Sequence, residues 1–285
     1  MCGACLSGLS SFDSTPFSIS VTSPRIAISA SQNRSISDFG FTLLLCVSVV
    51  VACQVLVSTN VVSKFVLPLP SSIPSELRGL IDTGMLGENI LTTVWEAFCG
   101  FAIATGLGLT LGALIAEFRI VERIVYPYLI ALQTMPKIAL APVLLVWFGF
   151  GLGSKIAVAA VISLFPILVN TIAGLKGCDQ GRLDVLRALG AGKWDRFRLV
   201  KLPNALPFVF SGLSTAVMFA LTGALVGEFV GATKGLGYLI VQANSQMNIP
   251  QVFAVLLILC AIGTTAFALM QFLRRKFLYW SPNEE

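Results

Sequence analysis

The sequence predicts an all-α membrane protein, a bundle of about six transmembrane helices with a long polar loop on one side. Three observations predict it. Of 285 residues, 56% are hydrophobic and only 12% are charged, with a mean hydropathy of +0.87, which is too apolar for a soluble domain of this length. Uncharged runs at 39–60, 97–116, 156–175, 204–227 and 252–273 each reach the ~20 residues that cross a ~30 Å hydrocarbon core. A sixth run, 124–150, holds one charge, Lys137, and is broken by Pro127, Pro136 and Pro142. It is read as one further span.

Taken in order, residues 1–38 are a Ser-rich tail with eleven Ser, two Arg, two Asp and no long apolar run, a composition expected to be disordered. A transit peptide has only a weak foothold there, and no apolar stretch with a cleavage site precedes the first span. Cys2 and Cys5 form a lone C-x-x-C without a second pair or a histidine, so no metal site is expected. Residues 39–88 hold the first span and an outer loop, 89–275 the core of the bundle, and 276–285 a short tail. The second span carries Gly100, Ala104, Gly108, Gly112 and Ala116, each four apart. That stripe predicts close helix packing within the chain.

Orientation follows from Lys and Arg. With both termini in the cytoplasm, fourteen basic residues lie inside, among them Arg119, Arg123, Arg274, Arg275 and Lys276. Four lie outside: Lys64, Arg78, Lys155 and Lys234. The bias supports both termini inside. The net charge of +5 is thereby a matter of topology, and no nucleic-acid partner is expected.

The longest polar interval, 176–204, holds seven of the chain's 19 basic residues. Leu183, Val185, Leu186 and Leu189 share a broad side of one short helix, and Trp194, Phe197 and Val200 share a side of a second. Gly190 and Gly192 stand between them, where a sharp turn favours residues tolerant of positive φ. A helix-turn-helix that is apolar on one face and basic elsewhere, tethered at the membrane surface, is suited to docking a soluble partner.

This spacing resembles the signature loop of binding-protein-dependent ABC importer permeases. The family pattern is Glu-Ala-Ala, three residues, Gly, and an Ile-x-Leu-Pro whose Ile follows that Gly by ten. Gly190, Leu202 and Pro203 match it, with Val200 in the Ile position and Asp184 in the Glu position. Val185 and Leu186 depart from the two alanines. Further resemblance, to the nitrate/sulfonate/taurine branch, covers about residues 60–275. It rests on Phe65-Val66-Leu67-Pro68 with Pro70-Ser71, on Met135 to Pro142 leading into Trp147-Phe148-Gly149, and on Gly227 to Thr233 with Gly235 to Ile240. The resemblance implies a permease dimer in the inner (plasma) membrane, two cytoplasmic ABC ATPase subunits and an extracytoplasmic solute-binding protein. It implies an ATPase-docking surface at Asp184, Arg187, Ala188, Gly190, Val200, Leu202 and Pro203.

The chain has no histidine, which removes Ser-His and Cys-His catalysis and His-ligated haem. It has no Gly-x-x-x-x-Gly-Lys-Ser/Thr, so ATP hydrolysis is expected on a separate polypeptide. No cofactor is expected, and no enzymatic activity. Charges within spans are expensive and face a cavity or a partner. Lys137 and Glu228 are the candidate translocation-path residues. For Lys137 the other reading is a structural pairing with a carboxylate or with carbonyls freed by Pro136 and Pro142. For Glu228 it is a tie to the 231–237 loop. Glu96 is placed at the membrane interface. Two functions compete: an ABC importer permease for a small solute such as nitrate, a sulfonate or a taurine-like compound, and a stand-alone ion-coupled secondary transporter. The docking loop favours the first.

Overall fold

The computed structural model describes residues 34–59, 61–63 and 66–279, and side chains from residue 41 onward apart from 42, 43 and 46. Cys2, Cys5, Lys64, Phe65 and most of the expected N-terminal tail lie outside the described residues. Two compact units are distinguished, 1–49 and 50–285. The described part of the first is the beginning of helix α1 (Arg34–Ser58), where Ser48 Oγ donates to the Leu45 carbonyl at 2.8 Å. The helix begins five residues before the expected span, adding a polar turn, 34–38, ahead of the apolar run. In the second unit, α1 ends beside a short 3-10 turn, Pro70–Ser72, with Gln54 paired to Ser71.

The core of the second unit is three long helices, α3 (Met85–Glu117), α6 (Leu152–Lys176) and α9 (Leu202–Phe229). Small residues let them meet at the backbone. A Cβ added at Gly100 would lie 2.5 Å from Ala159 Cβ, at Gly108 2.8 Å from Ile167 Cγ2, and at Gly112 2.8 Å from Thr171 Cβ. The four-residue stripe of the sequence thus packs against a four-residue row of α6, as expected. The matched positions advance together, so α3 and α6 run parallel. Against α9 the order reverses: Gly227 meets Lys155, Gly223 meets Ala159, Gly212 meets Asn170 and Gly174 meets Phe208. These two helices are antiparallel.

Two parallel helices need a connection that returns along the bundle. It is made by α4 (Arg119–Thr134), a 3-10 turn at Lys137–Leu140 and α5 (Ala141–Phe148), bent by 93° at the break. The sequence predicts a broken span here but not so sharp a corner. Pro136 supplies no N–H, and the residue before a proline is pushed out of the helical region, so Met135 is extended at ψ 134°. Among the described residues, four helical stretches are long and apolar enough to cross a membrane: Met85–Glu117, Leu152–Lys176, Lys193–Phe229 and Ile249–Phe277. The bent pair makes a fifth. The remaining expected span falls on α1, of which Val47–Ser58 is a shorter apolar helix.

Around the three-helix core sit α10 (Leu236–Ser245) and α11 (Ile249–Phe277), with the short amphipathic α2 (Ile73–Asp82). Leu80, Leu236, Leu239, Val255 and Leu259 form their common apolar cluster. Asn248 reaches Glu76 at the start of α11, and Phe277 at its end stacks on Phe210 at 6.1 Å. The second unit therefore has two poles. One gathers Arg119, Arg123, the polar loop and Arg274–Lys276. The other gathers Arg78 and Lys234, as the Lys/Arg distribution anticipates.

Candidate functional site: coupling loop and buried ion cluster

At the basic pole the chain leaves α6 at Lys176 and forms α7 (Gln180–Ala188), whose N-cap Asp179 accepts from the Gly181 N–H at 2.9 Å. Gly190 ends it at φ +77°, a left-handed position that a side chain resists. Ala191 N donates to the Leu186 carbonyl at 2.9 Å and Gly190 N to the Arg187 carbonyl at 3.0 Å, the paired bonds of a Schellman cap. Helix α8 (Lys193–Arg196) follows, with the Asp195 carboxylate accepting from the Gly192 N–H.

The second loop helix of the sequence reading is not a separate element. After α8 a π turn, Phe197–Lys201, runs directly into α9, so the fifth span begins a loop-length earlier than expected. Pro203 has no N–H to return to residue 199, and the widened turn sits at that break. The apolar face also divides. Leu183 is buried and anchors α7, whereas Val185, Leu189 and Trp194 are 61%, 77% and 69% exposed. Trp194 stacks on Phe197 at 5.7 Å.

Of the predicted docking residues, Asp184 and Arg187 pair at 2.6 Å on the outer side of α7. Ala188 and Gly190 are exposed beside them, Leu202 is partly exposed, and Val200 and Pro203 are half-buried at the root of α9. Ion pairs brace the loop to the bundle: Lys176 to Glu122 in α4, and Lys201 to Glu117 in α3 at 2.5 Å. The result is a rigid apolar tip on a charged support.

The opposite pole holds a buried ionic cluster. Glu228, 1% exposed, accepts from Thr93 Oγ1 at 2.6 Å and from the Gly237 N–H. Thr93 in turn accepts from the Leu236 N–H at 2.8 Å, and Asn89 from the Gly235 N–H at 2.6 Å. Three N–H groups at the start of α10, those of Gly235, Leu236 and Gly237, are thereby satisfied by α3 and α9, with a carboxylate at the positive end of the helix. Gly235 stands at φ +116°, and a Cβ there would overlap the Glu228 carboxylate.

Glu96 and Lys155 complete the cluster, and Lys155 differs from the sequence reading. Glu96 lies three turns inside α3 and is buried between helices, at 0% exposed. Lys155 is not in an outer loop: it is in the first turn of α6, 5% exposed, with its Nζ 3.4 Å from Glu96 Oε1. A span defined by its uncharged run necessarily places flanking charges at its edge. A charge with a buried partner belongs inside. Neither Glu96 oxygen receives a hydrogen bond among the described residues, so Lys155 is its compensation.

Lys137 lies at the corner between α4 and α5. Its Nζ donates to the Gln133 carbonyl at 3.3 Å, one of those left free at the end of α4, and sits 5.1 Å over the Phe165 ring. No carboxylate pairs with it among the described residues. Lys137 and Glu228 are therefore not brought together; they belong to different sites.

Comparison with known proteins agrees with this architecture. Residues 107–279 match the family described as "Binding-protein-dependent transport system inner membrane component". The chain is 36% identical over 219 residues to the riboflavin transport system permease protein RibX of Chloroflexus aurantiacus, covering 77% of this chain and 82% of that one. It is 37% identical over 220 residues to the formylaminopyrimidine transport permease protein ThiX of Halalkalibacterium halodurans, covering 75% and 88%. It is 33% identical over 243 residues to the putative aliphatic sulfonates transport permease protein SsuC of Bacillus subtilis, covering 85% and 88%. In fold it resembles a chain of the inward-facing MetNI methionine ABC transporter, with a TM-score of 0.58, 23% identity, and coverage of 68% of this chain and 95% of that one. With a braced polar loop on a three-helix core and these matches along most of its length, the chain is an integral membrane permease of the binding-protein-dependent ABC importer family.

Proposed function

We propose that this permease forms a solute path through the membrane as a dimer and is driven by a separate ABC ATPase docked on α7 and its Gly190 turn. The observation that carries this reading is the exposed apolar tip of Val185, Leu189 and Trp194, fixed by the Schellman cap and braced by Lys176–Glu122 and Lys201–Glu117. An unsupported apolar tip facing water is a liability for a lone protein and an asset for a docked one. The docking surface comprises Asp184, Arg187, Ala188, Gly190, Val200, Leu202 and Pro203, with Val185, Leu189 and Trp194 at its crest. The basic pole faces the cytoplasm, where Lys and Arg accumulate. A solute-binding protein delivers the substrate at the other pole.

The substrate is a small solute, a reading supported by relatives named for riboflavin, formylaminopyrimidine and aliphatic sulfonates. We assign Lys137 to the path. Its contacts, a carbonyl and a ring, leave its charge uncompensated and available to an anionic group such as a sulfonate. Glu228 is assigned a structural role, since both its oxygens are already engaged by Thr93 and Gly237.

Purification of the tagged full-length chain in mild detergent tests the assignment. An ABC ATPase should accompany it in fixed ratio. Solute transport by preparations free of any ATPase and driven by an ion gradient would establish secondary transport instead. For the path, Lys137→Met should assemble normally yet transport an alkanesulfonate poorly; unchanged transport would remove Lys137 from the path.

A further inference from the structure

A basic cavity of about 530 Å³ opens between the end of α3, the start of α4, the end of α6 and the polar loop. Six basic side chains line it, Arg119, Lys176, Arg187, Lys193, Arg196 and Lys201, against two carboxylates, Glu117 and Glu122. Both carboxylates are already taken up, by Lys201 and Lys176. Arg187 is paired with Asp184. Arg119 and Lys193 have no carboxylate partner among the described residues. The N-terminus of α4 opens at the same place without a side-chain cap, adding unpaired N–H groups of positive character.

An apolar groove of about 520 Å³ lies along the same three helices. Its walls are α3 at Leu114 and Phe118, α4 at Val121 and Val125, and α6 at Leu164 and Leu168. Phe118 ends the groove and Arg119 begins the cavity, one residue apart. A cationic recess and an apolar furrow lined by neighbouring residues of the same helices match an amphiphile whose charged head and hydrocarbon tail are joined. A free anion would use only the recess, and an acidic protein segment would have no use for the furrow.

We infer that this paired site binds one anionic phospholipid, with its headgroup phosphate among Arg119, Lys193 and Arg196 and an acyl chain in the groove against Phe118, Val125 and Leu168. The inference rests on the chain's being a membrane permease and is independent of the docking assignment. A lipid held there lies between the α3–α4 corner and the loop, where it cements the support of the loop to the bundle. Juxtamembrane basic groups each contribute about fivefold to the binding of an anionic headgroup.

The test is lipid retention by the full-length protein, purified from membranes containing phosphatidylglycerol and phosphatidylcholine and analysed by mass spectrometry of the extracted lipid. Wild type should retain phosphatidylglycerol selectively through detergent washing. Arg119→Gln and Lys193→Gln should each reduce that selectivity about fivefold, and the double variant roughly 25-fold, with the protein still cooperatively folded. Val125→Trp, which fills the groove and leaves the recess intact, should release phosphatidylglycerol without altering the charge. Equal retention of the two lipids would overturn the proposal. So would displacement of the lipid by millimolar inorganic phosphate, which would mark a free-anion site. So too would loss of ATPase assembly in the double variant with phosphatidylglycerol retention intact, which would assign the recess to the protein partner.

Discussion

At the residue scale, the members of the Glu96–Lys155–Glu228 cluster do not contribute alike. Two carboxylates share one ammonium in a site sealed from solvent, and breaking a buried pair by removing one partner costs about 3–5 kcal/mol. Lys155→Met removes the only cation and leaves two carboxylates uncompensated, so it should be the most damaging single change. Glu96→Gln removes an anion whose oxygens receive no hydrogen bond, and leaves the cluster with one charge of each sign, Lys155 and Glu228. It should be mild. The double variant Lys155→Met with Glu96→Gln should be more stable than Lys155→Met alone. Thermal transitions of the purified variants measure this ordering, and a double variant no better than Lys155→Met would show that charge balance is not what the cluster provides. Lys137 shows a different solution to the same problem, with a freed carbonyl and a ring in place of a carboxylate.

At the scale of elements, the bundle depends on glycine where helices touch and is indifferent to it elsewhere. A Cβ at Gly108 would lie 2.8 Å from Ile167 Cγ2, whereas a Cβ at Gly106, half a turn away, would meet nothing within 4 Å. Gly108→Ala should therefore destabilise the permease by about 1–3 kcal/mol through overpacking. Gly106→Ala should be neutral or slightly stabilising, because alanine is the better helix former. Equal effects at the two positions, read from the same thermal transitions, would contradict the packing register. This stripe was legible in the sequence because its period is set by the helix itself. The Gly190 turn was legible for a similar reason, being bounded by apolar periodicity on one side and a Leu-Pro on the other. The Glu96–Lys155 pair was not: its members lie on different helices, and nothing local to either residue announces the other. The 93° corner between α4 and α5 was half-legible, since prolines mark a break but not its angle. The continuity of α8 into α9 was hidden because Pro203 reads as a boundary, while the structure absorbs it in a π turn.

For the whole molecule, parallel α3 and α6 with antiparallel α9 give two poles of opposite character, and the account assigns the basic one to the cytoplasm. Cysteines introduced at Lys193 and Arg275 should be labelled only from the cytoplasmic side, and those at Ser71 and Lys234 only from the outside. Labelling of Lys193→Cys from outside would invert the assignment. The buried cluster ties the ends of α3, α6, α9 and α10 at the outer pole, and the loop is braced to α3 and α4 at the inner one. In the proposed coupling, a push on the loop reaches α3 and α4 through these contacts. The most direct measurement of that claim is ATP-driven solute accumulation in proteoliposomes containing the permease, its ATPase and its binding protein, with and without Gly190→Val. A β-branched residue at φ +77° is strained by at least about 1–2 kcal/mol and displaces the docking tip, while the bundle, far from this turn, stays inserted. The account predicts normal membrane levels of the variant with ATPase assembly and accumulation reduced at least roughly fivefold to thirtyfold. Full ATP-driven accumulation by Gly190→Val, with the ATPase still bound, would contradict it.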